Sequence, residues 1–282
     1  MNKHLKELIF ILLLSLPIIT MLLLSSIVDG PTDISFENYN RTSMLIGNSF
    51  ALIFFSLPYF AIRNKSEYSM KVGKIDSSPI LVIILITFFF MILNSSVIEW
   101  NKSINFPEFM NSFEQWALTK ENQLEKVTLF LISFDNISEY LIGVLTIALI
   151  PGIFEEFFFR GVLQKNLFLI SKNVHLAVWI SAILFSAIHM QFYGFFPRLF
   201  MGVLFGYMFY WSGNIIYPML AHTFNNFFSL TLFYGAKQGF FGTDFDISVN
   251  TAPDIPKAVI IISFVIFFIL IINFKRNFKT HE

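Results

Sequence analysis

Eight apolar runs, near 8–28, 43–62, 79–98, 139–159, 174–190, 195–212, 215–234 and 256–274, set the frame for this chain. A helix of about 20 residues matches the thickness of a bilayer's hydrocarbon core. In lipid no water satisfies the backbone, so a spanning segment must close its N–H and C=O groups internally, and a helix does so. The pattern predicts an all-α, polytopic membrane protein with about eight transmembrane helices. Composition agrees: 55% of residues are hydrophobic and 13% charged, where soluble domains sit near a quarter charged. A net charge of zero gives no sign of a nucleic-acid partner. Neither G-x-x-x-x-G-K-[ST] nor G-x-G-x-x-G is present, so nucleotide binding has no support. With no cysteine, disulfides, thiolate metal sites and a thiol nucleophile are excluded.

The first run follows Lys3 and Lys6. It is long for the apolar part of a secretory signal and no A-x-A-like cleavage site follows, so it reads as a retained span. Eight spans place both termini on one side. With a cytoplasmic N-terminus, the inner segments collect Lys3, Lys6, Arg63, Lys65, Lys71, Lys74, Arg160, Lys165, Lys172, Lys275, Arg276 and Lys279. The longer outer segments hold Arg41, Lys102, Lys120, Lys126, Arg198, Lys237 and Lys257. This asymmetry puts both ends in the cytoplasm. The absence of cysteine and the few targeting features fit a bacterial cell membrane. The 99–138 segment, the longest outer loop, reads as an amphipathic helix suited to a membrane surface.

Ionisable residues inside spans are costly and mark functional candidates. They gather in spans four to seven. Span four carries "EEFFFR": Glu156 and Arg160 are four apart and share a helix face, whereas Glu155 points about 100° away. One carboxylate is thereby neutralised and the other left free to act as a base. The competing reading is a helix end at the interface, with snorkelling charges. Span five ends "FSAIHM", with Phe185 and His189 one turn apart, and span seven holds "HTFNN", with His222 and Asn226 one turn apart. From the turn at 171–173, Glu155 and His189 both lie about 25 Å away, at one height. His222 joins them if the first hairpin projects about two turns further towards the cytoplasm, as the polar residues of "RGVLQKNLFLISKN" permit. The site then lies in the cytoplasmic half of the membrane.

A carboxylate, two imidazoles and an amide in an apolar setting suit activation of a water and its attack on a carbonyl. Glu155, His189 and His222 are also a plausible zinc set, because two His and a carboxylate with an open position form a known catalytic arrangement. H-E-x-x-H, G-x-S-x-G and G-x-G-D are absent. Two other classes compete. A non-proteolytic scaffold or immunity protein would use the fold to hold a partner. A proton-coupled transporter would use intramembrane Glu and His as a relay, but these residues gather at one level.

In this order, "EEFFFR", "FSAIH" and "HTFNN" resemble the E-E-x-x-x-R, F-x-x-x-H and H-x-x-x-N motifs of the CPBP family. That family comprises the CAAX prenyl protease type II and bacteriocin-processing (Abi) intramembrane proteases. The resemblance covers roughly 150–230. It implies an endopeptidase acting on a membrane-associated peptide or protein. Glu155 and His189 would activate water, His222 and Asn226 would stabilise the oxyanion, and Glu156, Arg160 and Phe185 would support them. Members have been described both as metalloproteases and as metal-independent glutamate proteases, so zinc stays open, with glutamate-activated water preferred because an amide is a poor zinc ligand. The chain divides accordingly into N-terminal spans and outer loop (1–138), a catalytic core (139–236), and a last loop and helix (237–282).

Overall fold

The computed structural model describes residues 6, 36, 40–63, 79–241 and 255–278; the expected first span at 8–28 lies outside them. The described residues form helices and no strand. In chain order these are α1 (Arg41–Arg63), α2 (Ile80–Lys102), α3 (Asn111–Ile132), α4 (Ile137–Ser171), α5 (Val174–Ala187), α6 (Phe195–Ser212), α7 (Ile216–Lys237) and α8 (Lys257–Phe278). The helices α1, α2 and α4 to α8 fall on expected spans two to eight, and α3 is the helix expected inside the 99–138 segment. Three of them, α2, α4 and α8, are long and apolar enough to cross a membrane by length and composition. The apolar α5 is shorter, at 14 residues.

Exposed apolar side chains show why the chain is an integral membrane protein. On α8, Ile261, Ile262, Phe264, Val265 and Ile269 all face outward, each more than half exposed. On α4, Ile137, Leu141, Leu145 and Leu149 form an exposed stripe at four-residue spacing. Such surface is tolerated in lipid and not in water.

Inside, one core draws on α2 (Ile83, Ile86, Phe90), α4 (Phe159, Leu163), α5 (Phe185), α6 (Met201, Leu204, Phe205, Met208), α7 (Tyr217, Ala221) and α8 (Phe274). Helices α5 and α6 pack extensively on each other. Glycine permits it: a Cβ on Gly202 would press on Ala182 at 3.0 Å, and one on Gly206 on Val178 at 2.9 Å. Close backbone approach through small residues four apart is a familiar way of packing helices in membranes. The same glycines leave their carbonyls open. Arg160 Nη2 donates to Gly202 O at 3.1 Å and Gln164 Nε2 to Gly206 O at 3.0 Å. Two side chains one turn apart on α4 thus grip two carbonyls one turn apart on α6.

Arg160 is 1% exposed and Gln164 4%, so neither side chain snorkels. The helix is also not uniform. It widens into π-helical turns at Val144–Leu149 and Phe157–Gln164, a feature that often accompanies functional sites.

Arg160 Nη1 donates to Glu156 Oε1 at 2.8 Å, while Glu156 is 0% exposed. Breaking a buried pair leaves an uncompensated charge and costs about 3–5 kcal/mol. Arg160→Ala should therefore lower the melting temperature and yield of the purified protein, and Glu156→Gln added to it should recover part of the loss. An Arg160→Ala protein that melts like the wild type would contradict this account.

Candidate active site

A cavity of about 510 Å³ opens among α1, α2, α3, α4, α5, α6 and α7. Its lining includes Glu155, Phe185, His189, His222 and Asn226. The structure thus brings together all four residues expected to be catalytic, with Phe185. Glu156 and Arg160 lie behind them in the core.

Each side chain owes its place to local structure. Glu155 and Glu156 follow each other at the end of an α-helical turn, and the turn separates them. Glu156 points into protein, where Oε1 accepts from Arg160 Nη1 at 2.8 Å and from His222 Nδ1 at 2.9 Å. Glu155 faces the cavity, and among the described residues its carboxylate has no hydrogen-bond partner. The Arg160 guanidinium lies over Phe185 at 4.9 Å and near the Phe205 ring at 5.7 Å. Phe185 also meets the rings of His189 at 5.1 Å and His222 at 5.9 Å, edge to face. It therefore separates the buried cation from the cavity while bracing both imidazoles.

His189 was expected within span five. Instead α5 stops at Ala187, and His189 lies just beyond its end. Its Nδ1 is 2.8 Å from Phe185 O. A carbonyl only accepts, so Nδ1 carries the proton and Nε2 presents a lone pair. Met190, at φ 54°, then turns the chain towards α6. His222, on the second turn of α7, is 3% exposed. Its Nδ1 faces a carboxylate and is likewise the protonated nitrogen. In the neutral ring its Nε2 is an acceptor; in the imidazolium it is a donor. Asn226 Nδ2 donates to Ile147 O, in the first π-helical segment, at 3.2 Å, and its Oδ1 accepts from Asn225 Nδ2 at 3.1 Å. One Nδ2 hydrogen remains.

Glu155, His189 and His222 line one cavity, yet among the described residues no three His, Asp or Glu side chains gather closely enough to hold a metal ion. As placed, the expected zinc set does not fit an ion, and no step is derived through one.

The cavity reaches further than the motifs. Asn94 and Lys102 of α2, Glu121 of α3, Tyr193, and Arg198 of α6 complete it. It therefore extends to the 99–138 segment, through Lys102 and Glu121. Arg198 donates through Nη2 to Gln191 Oε1, and Gln191 Nε2 donates to Glu121 Oε1 at 3.3 Å. Burial pushes the Glu121 carboxyl above the ordinary glutamate range, against the downward pull of Arg198. Sequence reasoning counted Arg198 among the outer-loop cations. The signal that marks it is an arginine within the apolar run "GFFPRLFMG".

Residues 137–228 match the family model described as Rce1-like, type II CAAX prenyl endopeptidase. Among curated proteins, the uncharacterized protein YpbD of Bacillus subtilis (strain 168) is 30% identical over 83 residues, covering 28% of this chain and 39% of YpbD. No solved structure matches significantly. The match contains Glu155, His189, His222 and Asn226 and leaves out α1, α2, α3 and α8. Residues 137–228 of this membrane protein are thus similar to the Rce1-like family, and the chain spans well under half the length of the curated relative it matches.

Proposed function

We propose that this chain is an intramembrane endopeptidase that hydrolyses a peptide bond of a membrane-associated peptide or protein. The observation that carries the reading is the free Glu155 carboxylate, in one cavity with His189, His222 and Asn226, beside a buried Glu156 whose Oε1 is held by Arg160 and His222. Glu155 takes a proton from a water whose other hydrogen is accepted by His189 Nε2. The water oxygen attacks the scissile carbonyl carbon. Asn226 Nδ2 donates to the resulting oxyanion. His222 donates from Nε2 when its ring carries both protons. Glu155 then returns the proton to the amide nitrogen, the C–N bond breaks, and an acid and an amine leave. The catalytic core is 139–236, between an N-terminal part (1–138) and a C-terminal part (237–282). Both termini face the cytoplasm of a bacterial cell, and the 99–138 segment faces outside.

The two glutamates separate in a test on purified full-length protein in liposomes with quenched, lipid-anchored peptides. Glu155→Gln should remove most of the turnover and leave the melting temperature unchanged, because nothing in the fold leans on its carboxylate. Glu156→Gln should lower both. Asn226→Ala should cost roughly a hundredfold in turnover, as for losing one oxyanion donor. Full turnover in Glu155→Gln would remove the general base from the mechanism and favour a scaffold.

Metal dependence is checked on the same protein. A chelator should leave the rate near its starting value. Loss of activity on chelation, restored by added zinc, would replace the metal-free mechanism.

The topology is read by a reporter fused after Glu282, which should be active on the cytoplasmic side only. Activity outside the cell would invert the arrangement.

A further inference from the structure

Arg160 and Arg198 lie close to the site, and they are treated differently. Arg160 is matched by Glu156 and backed by two aromatic rings. Arg198 lines the cavity and has no ion pair among the described residues. Its Nη2 is spent on the neutral amide oxygen of Gln191, and its Nη1 is buried with no hydrogen-bond partner. Glu121, in the same cavity, is bonded through Oε1 to Gln191 and forms no ion pair with Arg198; its Oε2 is also buried and unpartnered. A buried guanidinium without an anion is costly, and one N–H left unmade adds to the cost. Arginine's planar fork suits a carboxylate.

The neighbourhood indicates what kind of anion fits. Asn94 Nδ2 donates to Pro197 O, the carbonyl next to Arg198, at 3.2 Å, and Asn94 Oδ1 is buried without a partner. The residue with the unused cationic donor and the residue with the unused neutral acceptor thus line one cavity. A peptide offers the complement of both, a carboxylate and an adjacent main-chain N–H. A lipid phosphate offers no hydrogen for the Asn94 oxygen. Gly194 keeps the place open, since a Cβ there would collide with Arg198 Nη1.

We infer that Arg198 and Asn94 form a subsite for a carboxylate of the peptide substrate, in the cavity that also holds Glu155. The inference rests on the peptidase reading for its ligand class and adds a specificity determinant to it. The carboxylate comes from either a chain terminus or an Asp or Glu side chain.

Binding tests the subsite without turnover. Full-length protein in detergent, carrying Glu155→Gln to prevent cleavage, is titrated with three probes. These are acetyl-Phe-Leu-Leu as the free acid, its C-terminal amide, and acetyl-Phe-Asp-Leu-amide. The free acid or the Asp peptide should bind roughly tenfold more tightly than the amide, the scale of one charge-assisted hydrogen bond. Tighter binding of the free acid assigns the terminus, and of the Asp peptide the side chain. Arg198→Gln should erase the preference. Gly194→Ala keeps the charge but crowds Nη1, and it should reduce the preference even if Arg198→Gln fails to fold. Equal binding of acid, Asp peptide and amide would overturn the subsite, as would a preference that survives both substitutions. An Arg198-dependent preference in a protein whose unsubstituted form cleaves no peptide would leave the subsite standing and remove the peptidase.

Discussion

A single carboxylate, that of Glu156, ties together the helices that hold the site. It is 0% exposed, and a lone ion there would be prohibitive. Arg160 and His222 both reach the same oxygen, at 2.8 and 2.9 Å. Because Arg160 shares its helix and His222 comes from α7, the shared acceptor fixes the rotation of α4 against α7. Arg160 extends the tie to α6 through Gly202 O and to α5 through the Phe185 ring. Once Glu156 is fixed inward, the next residue along a helix is turned by about 100°. That rotation puts Glu155 into the cavity.

The energetic value of this cluster is positional. Removing two ions from water costs several kcal/mol each, and their attraction only roughly offsets it. Apolar residues of the same size would pack at no greater cost. What they would not supply is a direction for the His222 ring. With Nδ1 held by a carboxylate, the Nε2 atom is the one left for chemistry, and Phe185 and Phe205, with rings 5.9 and 5.5 Å away, restrict the plane of the imidazole. Polar groups in the core thus set the orientation of a group that lines the cavity.

Much of this was legible from spacing. The four-residue intervals of Glu156–Arg160, Phe185–His189 and His222–Asn226 identify which side chains share a face, and the helices fall on the apolar runs. Three features were not. The π-helical turns have no sequence signature, and the second turn carries Arg160 into the core instead of to the interface. The end of α5 at Ala187 was hidden because the apolar run continues through Ile188 and Met190; the αL turn at Met190 stops it. The Glu121–Gln191–Arg198 chain joins residues 70 positions apart, Glu121 and Gln191, which no local period can pair.

The boundary of the family match also divides the cavity. Inside 137–228 lie the groups suited to breaking a bond: Glu155, His189, His222 and Asn226. Outside it lie Asn94 and Lys102 on α2 and Glu121 on α3, which line the same space. Arg198 belongs to the matched segment and is linked through Gln191 to Glu121 outside it. The matched segment thus carries the carboxylate, the two imidazoles and the amide, while helices outside it close the rest of the cavity around them with a cation, a carboxyl group and an amide of their own.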